Sequence, residues 1–135
     1  MPDEGGNHVP ETEIIHYKSN PPSSGPHNPS TAELGFSYRV QPIGRVVHSM
    51  EHGAVVIYYR PDLPESDKEN LRKLSDQLPR ATSGEVKLIV TPYPDLQAPM
   101  VLAAWTRILP LEKFDYAQIF AFYRAWMGKG PEGTP

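Results

Sequence analysis

Five histidines, His8, His16, His27, His48 and His52, all fall within the first fifty-two residues of the chain, and the remainder contains none. The densest knot is Val46-Val47-His48-Ser49-Met50-Glu51-His52-Gly53. If this stretch is extended, His48, Met50 and His52 share one face and Glu51 lies on the other. If it is helical, His48 and His52 share a face one turn apart. Both geometries are read as letting two imidazoles meet one ion. His27 arrives on a Gly-Pro-His turn, where proline stiffens the backbone and lowers the entropy lost when the ring is fixed. His8 can reach in from the N-terminal arm.

The chain has no cysteine, which excludes disulfides and thiolate ligands and leaves nitrogen, oxygen and thioether sulfur as donors. Neutral imidazole suits zinc, copper, iron and nickel. Three histidines with an open position suit a zinc-bound water or a copper site, and two histidines with Met50 suit copper(I); the residue types do not choose between them. Glu51, set between two histidines, is placed to act as general base on a metal-bound water, which is the most concrete enzymatic reading. Plainer explanations stand beside these. A His-x-x-x-His spacing is frequent by chance, Met50 is most simply a core residue, and His16, next to Tyr17 and Lys18, suits a solvent-facing position. No glycine-rich phosphate loop occurs, and no nucleophile elbow surrounds Ser23, Ser24 or Ser49. Pro-Pro-Ser-Ser-Gly-Pro lacks the flanking basic residues and Pro-x-x-Pro core of a ligand for aromatic grooves.

A chain of 135 residues carries one domain with a core of ordinary proportions, here taken as residues 1–135. Thirteen basic against sixteen acidic side chains give a net charge of −3, with no basic cluster to track a phosphate backbone, so nucleic acid is not an expected partner. No apolar run approaches the roughly 20 residues that span a bilayer, and residues 1–6 lack the pattern of a signal peptide.

The elements that must position the histidines divide at Val46. Residues 1–45 form a Pro-rich, irregular segment read as draped on the core, with Ile14, Ile15, Tyr17, Phe36 and Tyr38 as anchors or short strands. Residues 46–128 carry a β-α-β-β-α order. A β-branched and aromatic run at 54–59 reads as a buried strand. Leu71, Leu74 and Leu78 at helical spacing, between Pro64 and Pro79, give a helix over 65–77. Residues 86–91 and 100–108 read as two further strands whose short link favours antiparallel pairing. For the last helix Asp115 is the cap, Gln118 reaches back, Phe114 staples against Ile119, and Ile119, Phe122, Tyr123 and Trp126 form the buried face before Gly128. The fold class is therefore α+β, a small mixed or antiparallel sheet with helices most economically packed on one side. The aromatic residues of the last helix leave a dimer open.

His8-Val9, Pro21-Pro22-Ser23-Ser24-Gly25-Pro26-His27, Gly35 with Tyr38, Val47-His48-Ser49-Met50-Glu51-His52-Gly53-Ala54-Val55-Val56, Tyr93-Pro94-Asp95-Leu96 and Ala104-Trp105-Thr106-Arg107 together resemble the bacterial family known as domain of unknown function 3105. The resemblance implies an extracytoplasmic domain, periplasmic or at the cell surface, which in the full-length protein commonly follows a membrane anchor. It places His8, His27, His48 and His52 on motif positions, leaves His16 off them, and puts Met50 where the pattern more often has leucine. The expectation is a metal-binding domain with His48 and His52 as paired ligands, His27 and His8 completing the set, and copper slightly ahead of zinc, acting as a metal carrier or in metal homeostasis. A metal-dependent enzyme with Glu51 as base and a metal-free domain docking a protein partner are the rivals. Protons compete with metals for imidazole nitrogen, so an ion held this way is expected to leave below about pH 6. Metal content after dialysis across that range checks it, and full occupancy at about pH 4 would point to different ligands.

Overall fold

Val55–Tyr59 is a run of β-branched and aromatic residues with no polar position to turn toward water, and every one of its residues is buried. Such a strand needs cover on both faces and pairing on both edges. The computed structural model describes residues 21–24, 31–94 and 96–129. In it the elements follow in the order β1 (Gly35–Phe36), α1 (Ile43–Glu51), β2 (Val55–Tyr59), α2 (Glu65–Arg72), α3 (Leu74–Gln77), β3 (Leu88–Pro92), β4 (Met100–Ala104), β5 (Arg107–Leu111) and α4 (Tyr116–Trp126). The strands form one mixed sheet ordered β1-β3-β2-β4-β5, with β2 parallel to β3 and antiparallel to β4. The α+β class and the mixed sheet agree with the sequence.

Side-chain alternation along β2 divides the core in two. Val55, Ile57 and Tyr59 join Leu71, Leu74 and Leu78 with Ile119, Phe122 and Tyr123, which places α2, α3 and α4 on one face. Val56 and Tyr58 join Val46, Val47 and Met50, which places α1 on the other. One-sided packing, the more economical arrangement on sequence grounds, gives way to the two-sided cover that the sequence left open: β2 and β3 are buried at all positions, and a sheet whose central strands are apolar on both sides cannot leave one side wet.

Two strand expectations also change. The antiparallel pairing of 86–91 with 100–108 does not form, because β2 lies between β3 and β4. The stretch expected as one strand over 100–108 is a hairpin, β4 and β5, with Ala104 opposite Arg107 and a turn at Trp105 and Thr106. Thr106 takes φ 62, a conformation that glycine or asparagine usually supplies, so nothing in its residue type announces the turn. The helix over 65–77 is present as α2 and α3, which meet at Lys73, itself still in right-handed helical geometry.

The last helix starts where its sequence says. The Asp115 carboxylate accepts the backbone N–H of Gln118 at 3.2 Å and its side-chain amide at 2.9 Å. The amide therefore closes on the carboxylate rather than on the backbone. Ile119, Phe122 and Tyr123 are buried, and Trp126 lies half-buried beneath the Arg107 guanidinium, 4.5 Å from the ring centroid. Of the expected anchors, Phe36 stacks on Tyr59 with ring centroids 5.5 Å apart, whereas Tyr38 is 61% exposed; Ile14, Ile15 and Tyr17 lie outside the described residues.

Tyr59 ties this region together by donating to the Ser37 carbonyl at 2.6 Å. Burial, with smaller contributions from Tyr38 and Glu65, pushes its hydroxyl pKa up from 10.0 to about 12. A group whose folded pKa is raised contributes stability that is complete below the unfolded value and is lost as pH climbs through the folded one. The chain is therefore expected to lose stability between about pH 10 and about 12, and Tyr59→Phe should flatten that part of the loss. Urea midpoints across the interval check it; parallel curves for the two proteins would remove Tyr59 as the cause.

Candidate metal centre

Ile43, Val46, Val47 and Met50 recur at the three- and four-residue spacing that lines one face of a helix, and α1 turns that face to the sheet. Its end is fixed by backbone geometry. The Ala54 N–H reaches the Ser49 carbonyl and the Gly53 N–H reaches the Met50 carbonyl, both at 3.0 Å, with Gly53 at φ +93. This is the paired-bond helix stop that favours glycine just past the last turn. Of the two conformations left open by the sequence, the knot is helical.

That choice gathers three donors. His48, Glu51 and His52 stand at i, i+3 and i+4, hence on one side of α1, and one ligand atom from each lies within 4.8 Å of the others. The two imidazoles are stacked with centroids 4.8 Å apart and planes 20° from parallel, and their Nε2 atoms are separated by 3.0 Å. That separation suits a hydrogen bond in which one ring donates and the other accepts, and it equally suits two nitrogens sharing an ion. His48 and Glu51 are each only 6% exposed, while His52 is half-buried. Met50, two residues from His48, points the other way into the apolar cluster against the sheet and is fully buried there.

Among the described residues this is where histidines and a carboxylate converge. His8, His16 and His27 lie outside the described residues. Glu51 enters as a third donor beside the pair, a role the sequence reading gave it only as a base. The signal was available: a carboxylate three residues after one histidine and one before the next is on their face only if the segment is helical.

The chain that flanks residues 25–30 is fastened on the same side of the sheet. Tyr58 donates to the Pro22 carbonyl at 2.9 Å, and the Thr106 N–H donates to the Ser23 carbonyl at 3.0 Å. On the other flank the Ala32 N–H donates to Ser49 Oγ at 2.9 Å, and that hydroxyl donates in turn to the Arg45 carbonyl at 3.0 Å. Ser49 thus links the incoming chain to the turn that bears the histidines. Beside His52 a cleft of about 290 Å³ opens, bordered by Ala32, Leu34, Glu85 and Lys87. A larger hollow of about 500 Å³, floored by Val101, Ile108 and Pro110, is lined by none of the three donors.

The model of the protein family described as "Protein of unknown function (DUF3105)" matches residues 8–135, a span that contains all four histidines expected as ligands. No curated protein and no solved structure matches the chain.

Replacing Ser49 by alanine would strand the nearly buried Ala32 amide without its acceptor. The expected cost is about 1–3 kcal/mol, the penalty for an unpaired buried donor. Urea unfolding of Ser49→Ala measures it, and an unchanged midpoint would mean that this bond does not hold the segment down.

Proposed function

Since the chain belongs to the DUF3105 family, whose description names no activity, its role has to be argued from its own donors, and we propose that it is a metal-binding domain. His48 and His52 are the paired ligands, Glu51 supplies an oxygen beside them, and His27 and His8 complete the set. The ion is copper, with zinc second, and the domain acts outside the cytoplasm as a metal carrier or in metal homeostasis, attached in the full-length protein to a membrane anchor.

The observation that carries this reading is the 3.0 Å between the two Nε2 atoms. Metal–nitrogen bonds of about 2.0–2.1 Å can reach one ion from two nitrogens this close together. Copper is placed ahead of zinc because an imidazole-rich, thiol-free donor set suits copper(II) and the affinity order puts it above zinc.

The cleft beside His52 favours a second reading, a metal-dependent enzyme in which Glu51 is the base and an open coordination position faces solvent. The metal-free interaction domain draws no support from a close pair of imidazoles.

Elemental analysis of the purified full chain, after dialysis against copper or zinc and then buffer, tests the proposal. Wild-type protein is expected to retain about one ion per chain, His48→Ala and His52→Ala to retain almost none, and Glu51→Gln to hold it less tightly. Undiminished stoichiometry in both histidine variants would overturn the assignment.

A further inference from the structure

The sheet ends at β1, and among the described residues no strand lies beyond it. Val90 stands opposite Phe36, and its carbonyl accepts the Ser37 N–H at 2.9 Å. A strand in a parallel ladder bonds to the residues on either side of the one it faces, so the N–H and C=O of Phe36 itself point to the open edge. β5 forms the other margin and contains Pro110, whose missing N–H blunts that edge. β1 carries no proline.

Apolar surface gathers at the same place. Among the described residues four large apolar or aromatic side chains are exposed, and three of them flank this edge: Leu34 at 39%, Tyr38 at 61% and Val40 at 51%. Apolar groups concentrated in so short a stretch mark a contact site, as scattered ones do not. The fourth, Tyr116, stacks on Phe120 of its own helix with centroids 5.9 Å apart, and the Arg124 guanidinium covers that second ring at 5.7 Å. The aromatic face of α4 is therefore engaged within itself. Charge is balanced about Phe36 as well. Glu33 lies three residues before it and Arg39 three after, both exposed, and among the described residues neither forms an ion pair.

We propose that β1 is a self-association surface, on which a second copy of this chain docks antiparallel about a two-fold axis at Phe36. The two Phe36 residues exchange N–H···O=C bonds, Leu34 of one copy meets Tyr38 of the other, and Glu33 meets Arg39, each contact made twice by symmetry. β1 is only two residues long, so backbone pairing is confined to Phe36 and the flanking side chains carry the rest. The charges make the contact selective, because a strand laid on this edge in another register or direction leaves Glu33 and Arg39 unmatched. So small a contact gives a weak dimer, with a Kd on the order of 100 µM. The inference uses none of the candidate metal ligands and stands apart from the metal-binding reading.

The test is sedimentation equilibrium of the full chain from about 10 µM to about 1 mM, with chelator present so that no ion links two copies. The average mass is expected to climb from one chain toward two. Glu33→Arg and Arg39→Glu each set like charges against each other at both contacts, and each should weaken association by about tenfold or more. An equimolar mixture of these two variants restores opposite charges at both contacts and should associate as wild type does, which requires Glu33 of one copy to face Arg39 of the other. Tyr38→Ser should weaken the dimer with the urea midpoint unchanged, since the ring is mostly exposed. A chain that stays monomeric up to about 1 mM would overturn the proposal. So would a dimer indifferent to both charge variants, or one that Tyr116→Ser dissolves and Tyr38→Ser does not.

Discussion

Everything near the candidate centre depends on α1 being buried on both of its sides. Val46, Val47 and Met50 take the sheet, while His48 and Ser49 between them and Glu51 just after are enclosed as well. Removing such groups from water costs several kcal/mol unless each finds a partner, roughly 1–3 kcal/mol for a neutral group and more for a charge. Ser49 meets that cost with two hydrogen bonds that also secure the chain at Ala32. His48 meets it in part through the contact with His52. The arrangement is therefore a polar network between two layers, and it tolerates only a few positions for each of its members.

The turn that carries the network is held from outside as well. Gly53, whose positive φ closes α1, offers its carbonyl to the Gly128 N–H at 2.9 Å, so the end of α4 is tied to the end of α1 around the margin of the sheet. Thr106 contributes at the opposite hairpin. A β-branched residue at positive φ is strained by about 1–3 kcal/mol, and here the N–H of the strained residue is the one that donates to the Ser23 carbonyl. Backbone strain of that kind persists where surrounding contacts over-determine it. The Pro22–Ser23 stretch, fixed to Tyr58 and Thr106 together, is such a surrounding.

The parts of this architecture legible in the sequence are those encoded by local spacing. Asp115 and Gln118 announce the start of α4, Leu71 and Leu74 the buried side of the helical stretch after β2, and the Val55–Tyr59 run the central strand. The strand order was not legible, because which strand enters between β3 and β4 is decided by packing far along the chain rather than by the link between them. Nor was the hairpin, since Thr106 occupies a turn position without a turn residue. The conformation of the knot was readable yet left open: Ile43, Val46, Val47 and Met50 spell a helical face, and Gly53 after His52 spells its end.

That distinction matters for chemistry more than the sequence reading allowed. In an extended strand, positions four apart are separated by about 13 Å along the backbone, too far for two imidazole nitrogens to approach each other closely without bending the chain. In a helix the same positions are about 6 Å apart and point the same way, and the observed 3.0 Å between Nε2 atoms follows from that pitch. The corresponding helical offset brings Glu51 to the pair and sends Met50 away from it, so one conformational choice settles which of four candidate donors can share a point. A ligand that draws on His48 and His52 together would then bind only while the last turn of α1 is wound, and its binding free energy would appear as stability of that turn and of the Gly53 stop that ends it.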